Sequence, residues 1–87
     1  MTTHDLKCWP VYFAAIKDGS KPFEVRKEDN RIYCVGDVLR LREWDRITEK
    51  YTGREVSKTV TYVLAGSRMV APGHVVLGLG PAEAPHA

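Results

Sequence analysis

Lys21, Glu24 and Arg26 fall within six residues of one another in the stretch GSKPFEVRKEDNR, which carries seven charged side chains between Lys21 and Arg31. A solvated edge strand would spread such charges as surface ion pairs contributing about 0 to 1 kcal/mol each. A polar binding cleft would instead gather them around a ligand. A second chemistry-bearing stretch runs from Arg40 to Trp44, where Arg40, Arg42 and Trp44 alternate with Leu39, Leu41 and Glu43. The two cysteines, Cys8 and Cys34, have neither C-x-x-C spacing nor a histidine cluster beside them. A zinc site is therefore not expected, and both are read as isolated buried thiols without a catalytic role. No metal and no cofactor is expected.

An 87-residue chain suits one domain, burying roughly 60 to 65% of its unfolded surface around one modest core. With 28% charged and 44% hydrophobic residues, the composition is that of a globular protein, which excludes wholesale disorder and fibrous folds. The formal net charge is only +2, so nucleic-acid binding would have to rest on clustered charge. No stretch approaches the roughly 18 to 20 apolar residues needed to cross a bilayer, and no apolar leader follows Met1, so a cytoplasmic protein with no membrane partner is expected.

The elements that must position these residues are short. His4 to Cys8 reads as a strand, and Pro10 then opens a helix of about two turns that Gly19 closes, with Tyr12, Phe13, Ala15 and Ile16 on its apolar side. From Phe23 the period becomes two, with Phe23 and Val25 on one face and Glu24 and Arg26 on the other. Asp29 and Asn30 mark a turn, and Gly36-Asp37 marks another before a strand through Leu39 and Leu41. DRITEKYTG reads as a hairpin loop. The next strand carries Val56, Val60, Tyr62 and Leu64 against Ser57, Thr59 and Thr61, and a last strand holds Gly78 and Gly80, where backbones approach closely. The result is a mainly β fold with one or two short helices, arranged as a small β-barrel that the helix plugs or flanks. Residues 1–80 form the domain, and 81–87, PAEAPHA, a disordered tail.

The ordered set H-x-L-K (His4 to Lys7), G-x-K-x-x-E-x-R (Gly19 to Arg26), V-G-D (Val35 to Asp37), LREW and YTGRE resembles the ASCH superfamily of PUA-like β-barrels, and within it a small family often encoded by phages and mobile elements. The likeness covers most of the chain, from His4 to Leu79. It implies a barrel with a cleft lined by Lys21 and Glu24 that binds RNA or a modified nucleoside or nucleotide. On that view Lys21 contacts a phosphate or a base, and Glu24 accepts hydrogen bonds from Lys21, Arg26 or a base amine. Lys7, Arg31, Arg42 and Arg54 join the candidate binding residues. Trp44 and Tyr51, chosen by position alone, would offer stacking surfaces.

Some ASCH relatives are amidohydrolases that use a Thr three positions after the Lys. Here that position is Glu24, so the hydroxyl nucleophile is missing. Others are ribonucleases, for which Lys21 would stabilise phosphorane charge and Glu24 or His4 would act as general base. Lys21 and Glu24 are thus the candidates for catalysis, if the protein is an enzyme. A protein-interaction module encoded by a mobile element is the third class left open by the residues. His4, at a strand end, is otherwise read as a surface or hydrogen-bonding residue, and His74 as a turn exit.

Overall fold

A computed structural model describes residues 1–82. Five strands and one helix follow in the order β1 (Thr3–Cys8), α1 (Pro10–Asp18), β2 (Phe23–Lys27), β3 (Val38–Asp45), β4 (Lys50–Ala65) and β5 (His74–Pro81). The strands form one sheet in the order β1-β3-β4-β5-β2, with β1 parallel to β3 and every other pairing antiparallel. The sheet curls into a half-barrel, so the fold is mainly β and barrel-like as expected. Strand β5 runs on to Pro81, which pairs with Lys58, and the expected tail beyond Ala82 lies outside the described residues.

The curl comes from β4. Its first part pairs with β3 and its last part, from Lys58, with β5, and the register shifts between Val60 and Tyr62. Bulges of this kind bend a strand and increase its twist. The extra residue also reverses the faces. Val56 and Val60 point inward as expected, but beyond the bulge Val63 replaces Tyr62 on the inner side, and Tyr62 is left 64% exposed. Thr61 packs against β5 so closely that a Cβ on Gly78 or Gly80 would come within 3.0 or 2.9 Å of its side chain. The two glycines are required there by close backbone approach.

The inner face is filled by Leu6, Cys8, Leu39, Leu41, Val60, Val75 and Leu77, and α1 closes it with Phe13 and Ile16. The helix starts at Pro10, which lacks only a donor that would be unsatisfied anyway. It stops at Gly19, whose φ of 89° suits a left-handed cap. Tyr12, expected on the apolar stripe, lies outside this core and is 46% exposed. Cys34 departs from expectation too, being exposed while Cys8 is buried.

The V-G-D turn is structural. Asp37 is buried, and its carboxylate accepts hydrogen bonds from the amides of Thr2 (3.1 Å) and Cys34 (3.0 Å) and from His4 Nε2 (2.9 Å). His4, expected at the surface or in a hydrogen bond, is in the latter, buried and with its ring 4.6 Å from that of Tyr33. These bonds, the one from His4 foremost, hold the Asp37 carboxyl at about 2, against an ordinary 3.8. A depressed carboxyl stabilises the fold above its unfolded value, and that contribution disappears as the pH falls through the folded value. The stability difference between the wild type and Asp37→Asn, read from urea midpoints, is therefore expected to be constant from about pH 7 to 5 and to shrink between about pH 4 and 2. An equal difference at both ends of the range would contradict this role.

Candidate functional site

The two edge strands, β1 and β2, face each other across the opening of the half-barrel, and the helix that connects them ends beside that opening. The cap fixes where the chain leaves the helix. The Lys21 amide donates to the Ala15 carbonyl (3.0 Å) and the Gly19 amide to that of Ile16 (3.3 Å). The Leu79 amide then donates to the Pro22 carbonyl and starts the pairing of β2 with β5. Lys21 thus sits at the mouth of the opening, with its backbone held from both sides.

Strand β2 reverses the usual burial pattern. Glu24 and Arg26 stand opposite Leu77 and Val75, which are 0% and 2% exposed. Directly opposed residues share a face, so the two charged side chains point to the inner side. Phe23 and Val25 point out and are 42% and 52% exposed. A carboxylate buried like Glu24, which is 4% exposed, is sustained only when paired and hydrogen-bonded. Both its oxygens are taken. Lys21 Nζ donates to Oε1 at 2.9 Å and Arg26 Nε to Oε2 at 2.7 Å, while Arg26 Nη2 reaches the Lys7 carbonyl on β1 at 2.6 Å. One guanidinium therefore joins the two sheet edges.

Above this clamp lies a cleft of about 500 Å³, and Trp9 and Tyr12 stand at its rim, 43% and 46% exposed, with ring centroids 6.0 Å apart and planes 22° from parallel. Lys21 Nζ lies 4.6 Å from the Tyr12 ring centre. The cleft combines an aromatic rim with a floor of two cations and one carboxylate. Cys8 lines it as well, but burial, reinforced by the Glu24 charge, pushes its thiol up to about 11. A protonated thiol is a poor nucleophile. With both Glu24 oxygens occupied, a general-base role would need one of its donors to move away first.

The remaining candidates lie elsewhere. Lys7 gives its carbonyl to the clamp, but its ammonium sits 3.9 Å over the ring of Trp44. Trp44 meets Tyr51 edge to face at 4.9 Å, and Arg42 covers Tyr51 at 3.9 Å. In β3 these residues alternate with the buried Leu41 and Glu43, so they occupy the opposite face of the sheet from the cleft. Arg31 is exposed and borders a neighbouring hollow. Arg54 pairs with Glu43 through Nε (3.0 Å) and Nη2 (2.8 Å), and Thr52 adds a hydrogen bond at 2.7 Å. Arg54, with help from Thr52, holds the Glu43 carboxyl below its ordinary value.

Three features went unread in the sequence. Trp9 and Tyr12 form the aromatic rim, and their spacing of three at a helix start would have placed them together. Glu43 continues the inward period of Leu39 and Leu41, which marked it as a buried carboxylate in need of a partner. His74 borders the neighbouring hollow, and nothing in its local sequence signals this.

The clamp should matter more to stability than exposed ion pairs do. Glu24→Gln leaves two partly buried cations short of a charged acceptor and is expected to cost about 1 to 3 kcal/mol in urea unfolding. Glu55→Gln, which loosens the exposed pair with Arg40, should cost far less. Equal losses would mean that Glu24 is not held as described.

Residues 3–79 match the domain of unknown function DUF3850. An uncharacterized 12.9 kDa protein in GpA 3′ region, from Escherichia phage P2, is 40% identical over 60 residues, which cover 69% of this chain and 52% of the phage protein. The chain thus spans about half the length of that curated relative. Because the matched region takes in every strand and the helix but for the last two residues of β5, the chain belongs to the DUF3850 family.

Proposed function

We propose that the domain is a PUA-like module of the ASCH type that binds RNA or a nucleotide-like ligand in the cleft between β1 and β2. The observation that carries this reading is the Lys21–Glu24–Arg26 clamp, with its inward-facing carboxylate, beneath the aromatic rim of Trp9 and Tyr12. Its parts suit the two halves of a nucleotide. The exposed rings offer a stacking surface to a base, an interaction worth roughly 1 to 3 kcal/mol. Lys21 and Arg26 keep N–H groups beyond those bound to Glu24 and Lys7 for a phosphate. Because Glu24 fixes both cations in advance, little side-chain freedom is lost on binding.

The basic, aromatic surface of Lys7, Arg42 and Trp44 lies apart from the clamp, and in this reading it contributes affinity through charge and not recognition, while Arg54 is engaged by Glu43 on the inner face. Titrating isotope-labelled protein with short single-stranded RNA at several salt concentrations tests the assignment. Lys21→Ala and Arg26→Ala are each expected to weaken binding about tenfold and to flatten the log-log salt slope by roughly 0.7. Unchanged affinity and slope in both variants would remove the cleft from the account, and cleaved RNA in the wild-type sample would turn the module into an enzyme.

A further inference from the structure

Next to the cleft lies a second hollow of about 630 Å³, and the two have Trp9, Val25 and Arg26 in common. Arg26 therefore stands at the seam of one continuous groove. The first compartment holds Lys7, Lys21 and Glu24, and the second holds Lys27, Asp29 and Arg31. With Arg26, and leaving aside the Lys7 ammonium, which stacks on Trp44 away from the cleft, the groove gathers four cations against two carboxylates. Each compartment has the size of a site for one small ligand; Trp9 and Tyr12 wall the first, and Trp9 also borders the second, where Tyr33 lies at the base, 8% exposed.

The cations of the second compartment are available. The side chains of Lys27 and Arg31 make neither a hydrogen bond nor an ion pair among the described residues. The turn below them is fixed by the Arg31 amide donating to the Glu28 carbonyl at 2.7 Å, with Asp29 and Asn30 at φ of 47° and 62°. His74 is oriented by Nδ1 donating to the Pro72 carbonyl at 2.9 Å, and its Nε2 has no partner among the described residues. A polar, cationic hollow that repeats the chemistry of its neighbour, with an arginine between them, suits a ligand that repeats its own units about a shared anion.

We propose that the groove takes a single-stranded oligonucleotide of at least two nucleotides, one nucleoside in each compartment, with the linking phosphodiester at Arg26. This rests on the nucleotide reading of the cleft and goes beyond it in requiring both compartments. The test compares adenosine 5′-monophosphate with the dinucleotides ApA and d(ApA) by calorimetry and by amide shifts, on the wild type and on Arg31→Ala. ApA or d(ApA) is expected to bind at least about fivefold more tightly than the mononucleotide, although the mononucleotide carries the greater charge. Arg31→Ala, at an exposed position that the fold does not use, should reduce that ratio to below about twofold. A mononucleotide that binds as tightly as both dinucleotides would overturn the proposal while leaving the cleft a nucleotide site. Absence of binding by all three ligands would overturn the nucleotide reading with it.

Discussion

The burial of one carboxylate on an edge strand governs this structure. Glu24 faces inward beside Val75 and Leu77, where an unpaired charge would be pushed out or neutralised. It stays because Lys21 and Arg26 each donate to one of its oxygens. Those two cations have to come from the helix exit and from the same strand, which fixes the cap at Gly19 and the orientation of β2. Arg26 then reaches the Lys7 carbonyl, so the one charge cluster also sets how closely the ends of the curled sheet approach. The cleft is what remains of the barrel opening once that approach is fixed.

The same logic recurs twice more. Asp37 takes bonds from Thr2, Cys34 and His4, and Glu43 takes them from Thr52 and Arg54. Each buried carboxylate joins segments distant in sequence: V-G-D to H-x-L-K, and LREW to YTGRE. Among the described residues no buried side-chain polar atom lacks a partner. The motifs that read in sequence as one list of functional signatures thus divide by role. Two of the three clusters hold the barrel together, and the third does so while facing the cleft. A polar core of this kind favours one register over its alternatives, since a slip of one residue would leave a buried charge without its partner.

Much of the fold was legible. The Pro10 start and the Gly19 stop bounded the helix, and alternation in residues 38–44 and in the strand-forming run 54–64 located β3 and most of β4, because side-chain alternation and backbone freedom are local properties. What was illegible depended on pairing. The bulge after Val60 turned Tyr62 outward, and a bulge arises between strands. Strand β4 also begins at Lys50, through the residues read as a hairpin loop, because it pairs there with Trp44 and Asp45 beyond a second irregularity in the β3 register. The charged stretch identified Lys21, Glu24 and Arg26 as a group, but hydrophobicity alone assigns Phe23 and Val25 to the inside. The inversion follows only once the register with β5 is known. Likewise Trp44 and Tyr51 were attractive as exposed aromatics near arginines, yet their strands turn them away from the cleft, while Trp9 and Tyr12 arrive there because the helix starts at its rim.

The direct test of this account is the guanidinium N–H of Arg26, observed by ¹⁵N–¹H spectroscopy in the free protein. The account predicts a resolved, slowly exchanging Arg26 Nε–H resonance, protected as in a short bond to a carboxylate, that loses its protection in Glu24→Gln. If the Arg26 Nε–H exchanged as fast as that of the exposed Arg46 and Arg68, Glu24 would not be clamped and the preorganised cleft would not exist.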